Sequence, residues 1–298
     1  MFWSLDALPD LAGSTILVTG ANSGIGLEAA RMFARRGARV VLACRSLDKG
    51  REALASLTGG PHELLRLDLA DLASVRAAAT EVRDRIGRLH VLVNNAGVMA
   101  LPRATTADGF EMQFGTNHLG HFALTGLLLD QIEDHGRVVT VSSGVHWFGR
   151  LDFDDLMGER HYDKWRAYFQ AKLANMTFAL ELARRLRDAA RPIASVACHP
   201  GYASTNLQGV GPRQEGSAFG AAMFKVGNFL FAQSATAGAW PTVEAAVGAR
   251  VKNGEVYGPM FFGFGPPRRD GVNPAARDGA AAERLWKVSE ELTGVRFL

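Results

Sequence analysis

The chain has 298 residues, 47% of them apolar and 21% charged, with a net charge of +3, proportions that argue against a disordered chain. The basic residues are scattered; pairs such as Arg35–Arg36, Arg184–Arg185 and Arg268–Arg269 never extend into a run that could track a phosphate backbone, so no nucleic-acid partner is expected. The two cysteines, Cys44 and Cys198, form no CxxC and end apolar runs, which reads as core thiols in a reducing compartment.

The opening MFWSLDALPDLAG lacks the basic start and long apolar stretch of a signal peptide, and no apolar run approaches a membrane span. A cytoplasmic protein without a transmembrane segment is expected. Apolar runs then alternate with helical patterns. Strands are predicted at 15–19 (TILVT), 39–43 (RVVLA), 63–67, 90–93, 137–141 (RVVTV) and 193–198, with a last short one near 256–257. Helices are predicted at 24–36, 47–57, 72–86, 110–134, 168–187, 235–250 and 280–292. Residues 263–274, rich in Gly and Pro, read as a loop. Several strands are apolar throughout, as in a sheet covered on both faces. Repeated βα units predict an α/β fold: a Rossmann-type doubly wound parallel sheet of about seven strands flanked by helices, with residues 1–298 as a single domain.

The first strand-to-helix turn reads Thr19-Gly20-Ala21-Asn22-Ser23-Gly24-Ile25-Gly26. Gly20 permits a backbone angle closed to other residues, Gly24 lets the chain approach a pyrophosphate, and Gly26 allows close helix packing. The helix N-terminus offers N–H groups to phosphates. The second strand ends at Arg45 without an acid until Asp48, which favours a 2′-phosphate over a 2′-hydroxyl and hence NADP(H) over NAD(H). A solvent-exposed arginine is the plainer alternative. Asp68 and Leu69 close the third strand, where the carboxylate could accept from an adenine amino group. Asn94-Asn95-Ala96-Gly97 closes the fourth and suits a loop under a ribose.

Tyr168 and Lys172 share a helix face, so an ammonium could lower the phenol's pKa for acid/base work. Ser142-Ser143 stands at the end of the fifth strand, where a hydroxyl could bond a substrate oxygen as charge develops; turn formation is the plainer reading. Asn117, mid-helix, predicts a specific hydrogen bond. His118 and His121 sit three apart, but no third ligand has suitable spacing and no metal is expected.

Together these pieces resemble the short-chain dehydrogenases/reductases from about residue 13 to 260: TGANSGIG, the Asp68 turn, NNAG, Asn117, Ser143, YFQAK and HPG. The retinol dehydrogenase-like branch, which includes the WW-domain oxidoreductases, is the most similar, through TGANSGIGLEAA, LACRSLDKG, LDLADLASV, LVNNAGVM, NHLGHFALT, VSSGVH, AYFQAKLANM and HPGYAST. Neither a WW domain nor an N-terminal anchor is expected, and Thr140 stands where that branch often has Asn. The resemblance implies that Ser143 orients the substrate oxygen and Tyr168 is the general acid/base. Lys172 would tune Tyr168 and bind the nicotinamide ribose, and Asn117 would help hold a water of a proton relay. Pro200, Gly201 and Thr205 would lie by the nicotinamide. It also implies a homodimer or homotetramer and an extra loop over residues 151–166. Residues 205–231, with Phe219, Phe224, Phe229, Leu230 and Phe231 and several glycines, read as a substrate lid. With Trp147, Phe148 and Trp165 they suggest a lipophilic or aromatic substrate; core packing and a membrane contact are the alternatives. The expected function is NADP(H)-dependent interconversion of a carbonyl and an alcohol. The alternatives are an NAD-linked enzyme of the same fold and a non-catalytic NADP(H)-sensing module.

Overall fold

The computed structural model describes residues 3–201, 234–261 and 263–298. The strands are β1 (Thr15–Thr19), β2 (Arg39–Cys44), β3 (Glu63–Arg66), β4 (Leu89–Asn94), β5 (Ile132–Val141), β6 (Ala194–Cys198), β7 (Val256–Phe261) and β8 (Phe264–Arg269). They form one sheet in the order β3-β2-β1-β4-β5-β6-β7-β8. All neighbours are parallel except β7 and β8, which are antiparallel. Every residue of β1 is buried, which is why its sequence runs apolar rather than alternating.

Helices cover both faces. On one side α1 (Gly24–Arg35) and α6 (Ala235–Val247) join a core containing Phe33, Val40, Val139 and Val243. On the other, α3 (Leu72–Glu81), α4 (Gly120–Leu128), α5 (Lys164–Asp188) and α7 (Gly279–Thr293) surround Val75, Phe122, Phe178 and Trp286. A further helix, α2 (Leu47–Ala55), follows β2. Caps start these helices where the sequence offers them: Asp71 accepts from Ala73 N, Asp163 from Trp165 N and Arg166 N, and Asp278 from Ala280 N and Ala281 N. Strand order reverses between β1 and β4, and ligands of such sheets bind outside the strands' carboxyl ends at that crevice.

Three sequence expectations change. The loop predicted at 263–274 contains β8, whose Pro266 and Pro267 are tolerated because it is an edge strand with no partner beyond it among the described residues. The helix predicted over 110–134 stops at Gln131, because Ile132 pairs with Leu89 and opens β5. The ladder then shifts register near Gly136, where a side chain would crowd Ile132 and two carbonyl oxygens. Finally, α5 begins at Lys164 on the Asp163 cap, so Trp165 belongs to the helix rather than to the loop before it. The proposed lid, 205–231, lies outside the described residues. No helix among the described residues is long and apolar enough to cross a membrane.

Trp286 is almost fully buried, edge-on to Phe122 at 5.1 Å and tilted against Phe297 at 4.7 Å, with the Arg185 guanidinium 4.3 Å above it. Trp286→Ala therefore leaves a cavity between α4, α5 and the C-terminus. It should cost about 3–5 kcal/mol, read from the midpoint of urea unfolding.

Candidate active site

The glycine-rich turn crosses from β1 into α1. Gly20 adopts φ +67°, and a Cβ there would stand 2.9 Å from Ala96 Cα, so the residue must be glycine on both counts. A Cβ at Gly26 would strike the Asn95 amide and the Gly20 carbonyl. The turn is pinned by Gly20 N donating to Ala43 O at 2.8 Å, and the Ala21 and Asn22 backbone N–H groups favour the ionised Cys44 thiol. Burial pushes that thiol up to about 11, so it stays a neutral packing group. Ser23, the N-cap residue, makes no side-chain cap bond among the described residues. The first N–H groups of α1, at Gly24, Ile25 and Gly26, thus lack the side-chain partner that Asp71 or Asp163 gives its own helix. A backbone cradle with an uncapped helix terminus fits a dinucleotide's phosphates.

Arg45 is exposed just past β2 and has no hydrogen-bond or ionic partner among the described residues. The nearest acid, Asp48, is paired with Arg51 at 2.6 Å. Asp68 accepts from Ala70 N through Oδ1, and Leu69 is buried beside it. At the end of β4, Thr19 Oγ1 receives the N–H groups of Asn95 and Ala96, each at 2.9 Å, and Asn95 Nδ2 donates to Thr19 O at 2.8 Å.

The reactive set gathers at the carboxyl end of β5. Tyr168 and Lys172 are buried, with Lys172 Nζ 5.8 Å from the phenol ring centre, and the Ser143 hydroxyl, which also accepts from Val145 N at 3.5 Å, lies near enough to the Tyr168 phenol to favour its ionised form. Ser142 and Ser143 separate cleanly. Ser142 Oγ donates to Lys172 O at 2.7 Å and is used up latching β5 to α5, whereas Ser143 faces Tyr168. Lys172 Nζ donates to Val141 O at 3.2 Å. Gly97 packs between Asn117 and Lys172: a Cβ there would sit 3.1 Å from Asn117 Oδ1 and 3.5 Å from Lys172 Nζ. Asn117 lies in a π-helical turn, Gly115–Leu119, and both ends of its amide grip Val98, accepting from N at 2.7 Å and donating to O at 2.9 Å. The specific bond expected of a mid-helix asparagine is therefore to the NNAG loop.

Burial pushes the Tyr168 phenol up to about 12, with the Ser143 hydrogen bond pulling the other way, and pushes the Lys172 ammonium down to about 8. The neighbouring ammonium alone thus does not bring the phenol into the working range. Burial also lowers His118 to about 3 and His121 to about 4. Their rings face different partners, Ser289 for His118, and Thr19 and Asn117 O for His121.

Pro200 and Gly201 follow β6. Gly201, at φ +67°, donates its N–H to His199 Nδ1 at 3.2 Å, and His199 Nε2 donates to Asp270 Oδ2 at 2.8 Å. Sequence reasoning missed Asp270; the one signal was the histidine of HPG, whose partner lies after β8. Thr205 is outside the described residues. Trp147 and Phe148 are exposed, at 48% and 76%. A cavity of about 350 Å³, lined in part by Glu111, Phe148, Arg166 and Gln170, lies on the face of α5 turned away from Tyr168.

A family model described as short chain dehydrogenase matches residues 14–215. Retinol dehydrogenase 12 of Homo sapiens is 40% identical over 295 residues, covering 96% of this chain and 88% of that protein. Retinol dehydrogenase 13 of Mus musculus is 41% identical, covering 96% and 85%. Among solved structures, an uncharacterised protein from Mycobacterium paratuberculosis superposes with a TM-score of 0.85 at 43% identity, over the full length of both chains. A Beutenbergia cavernae protein described as an NAD(P)-dependent gluconate 5-dehydrogenase, solved with NADP at low occupancy, gives 0.64 at 27% identity, covering 84% of this chain and 96% of that one.

The buried Lys172 makes stability depend on pH. Its pKa falls from 10.5 to about 8 on folding, so between those values the unfolded chain binds more protons and stability rises with pH. Below about 8 the full cost of the buried charge remains. Lys172→Met should be more stable than wild type at pH 7, on the order of 1–3 kcal/mol, with the gap closing as pH approaches 10.5. Urea melts across that range measure it; a gap independent of pH would exclude a titrating Lys172 as the cause.

Proposed function

The chain belongs to the short-chain dehydrogenase family, and from that premise we propose that it is an NADP(H)-dependent oxidoreductase interconverting a carbonyl and an alcohol on a lipophilic or aromatic substrate. The observation that carries the reading is the convergence of Ser143, Tyr168 and Lys172 at one strand end, with Gly97 packed against Asn117 and Lys172.

The residues present fit a nicotinamide dinucleotide. Gly20, Asn22, Ser23, Gly24, Ile25 and Gly26 would hold its phosphates, Arg45 a 2′-phosphate, and Asp68 and Leu69 the adenine. Asn95, Ala96, Gly97, Tyr168 and Lys172 would hold the nicotinamide ribose, with Pro200, Gly201 and Thr205 by the ring. The bound group supplies or accepts the hydride. Ser143 donates a hydrogen bond to the substrate oxygen as negative charge grows there, and Tyr168 passes its proton to that oxygen or takes it back. Lys172 spends one N–H on Val141 O and keeps two for a ribose hydroxyl, while its charge favours the phenolate. Asn117 holds the loop that carries Gly97.

Two features support NADP(H): Arg45 has no described partner, and Asp48 is engaged by Arg51. The exposed Trp147, close after Ser143, supports a lipophilic or aromatic substrate, and the similarity to retinol dehydrogenases agrees with that class.

Two measurements test the reading. Tyr168→Phe should lower kcat on a carbonyl panel by ~10²–10⁴ while NADP+ affinity stays within about threefold. Wild type that binds NADP+ but reduces nothing in the panel would instead favour a sensing module. Arg45→Ala should raise the NADP+ Kd about tenfold and leave NAD+ binding nearly unchanged, since one charge-assisted contact is lost from one ligand only. Equal effects on both nucleotides would exclude Arg45 as the 2′-phosphate partner.

A further inference from the structure

His121 is fully buried in α4, touches neither Tyr168 nor Ser143, and has no part in the proton transfer above. Both its ring nitrogens are nonetheless engaged. Nδ1 lies 2.9 Å from Asn117 O, and Nε2 lies 2.9 Å from Thr19 Oγ1. A carbonyl oxygen can only accept, so Nδ1 carries the hydrogen. In a neutral ring Nε2 is then a bare lone pair, and the Thr19 hydroxyl must donate to it. Burial, with the Lys172 charge acting in the same direction, keeps the ring neutral.

The Thr19 hydroxyl has one hydrogen and two lone pairs. The hydrogen goes to His121 Nε2; the alternative acceptor, Val93 O, is farther away at 3.4 Å. The lone pairs face Asn95 N and Ala96 N. Thr19 also closes β1, immediately before Gly20. One imidazole therefore bridges the π-helical turn that holds Asn117 and the hydroxyl that organises the NNAG loop, on the residue that leads into the glycine-rich turn.

We propose that His121 is a positioning residue of this site, the joint that holds the Asn117 turn and the cofactor-side loops in fixed relation through two separable hydrogen bonds. The inference rests on the nicotinamide reading given above. It goes further in assigning the Asn117 side to turnover and the Thr19 side to cofactor affinity.

The two bonds can be cut one at a time. Asn in place of His121 keeps a donor near the Nδ1 position; Gln keeps an acceptor near the Nε2 position. With NADP+ as the binding probe and the fastest wild-type substrate of the carbonyl panel for turnover, His121→Asn should raise the NADP+ Kd about 5–10-fold and keep kcat within about threefold. His121→Gln should do the reverse, lowering kcat about tenfold with Kd within about twofold. Thr19→Val, which also strips the acceptor from Asn95 N and Ala96 N, should raise the NADP+ Kd at least as much as His121→Asn; Thr19→Ser should keep wild-type affinity, and adding His121→Asn to Thr19→Val should weaken binding no further. Equal changes in Kd and kcat for both His121 variants, or additivity with Thr19→Val, overturn the proposal. A readout independent of variant folding is the tautomer of wild-type His121 by nitrogen-15 NMR. Nδ1–H with a bare Nε2 is expected with and without NADP+, and Nε2–H overturns the joint. Failure of wild type to bind either NADP+ or NAD+ would defeat the nicotinamide reading itself; normal wild-type binding with unaltered variants defeats only the role of His121.

Discussion

A charged amine held out of water is the constraint around which this site is arranged. Lys172 is 4% exposed, and burial works against its ammonium form. Among the described residues the chain offsets that penalty with a backbone oxygen rather than with a carboxylate partner. Val141 O takes one N–H at the end of β5, and Gly97 stands beside the nitrogen without a side chain, where a Cβ would press on Asn117 Oδ1. An acid in contact would have neutralised the charge that a phenolate needs. The same latch explains Ser142: its hydroxyl ties the carbonyl of Lys172 to the strand, fixing α5 against β5 so that Tyr168 meets Ser143.

The fold was legible because its strands are buried on both faces. Continuous apolar runs such as TILVT and RVVLA can serve little else, and the turns between them are marked by Gly, Asp and Ser. The elements that escaped notice lack such a signature. FGPPRR has neither alternation nor strand propensity and forms β8 only because β7 offers an open edge. Ile132–Asp134 reads as the tail of a helix until the pairing of Ile132 with Leu89 outweighs helix propensity.

The candidate site was legible as a set of residue types and spacings, but not as a set of partners. Tyr168 and Lys172 share a helix face by arithmetic, whereas the division of labour between Ser142 and Ser143 depends on which hydroxyl the Lys172 carbonyl reaches. The His118–His121 spacing resembled a ligand pair, yet in the structure one ring reaches toward α7 and the other toward β1. Two residues three apart on one helix reach different neighbouring elements, and only packing decides which. The balance of effects on Tyr168 was also hidden, because spacing shows that an ammonium is near and says nothing of how deeply the phenol is buried.

The C-terminal strands show how distant sequence completes the cleft. Gly201 sits where the chain leaves β6, and its left-handed turn is held from outside: the N–H rests on His199, and His199 rests on Asp270 beyond β8. A Cβ at Gly201 would also press on Pro259 of β7 and on the backbone of Gly263. The turn at Gly201 is thus clamped by a hairpin at the sheet's open edge, where the register ladder is least demanding and sequence can vary without disturbing β1, β4 or β5. Such an arrangement separates two tasks. Central strands, locked on both sides, keep Ser143, Tyr168 and Lys172 in place, while an edge hairpin joined through one imidazole–carboxylate pair fixes the turn at Gly201.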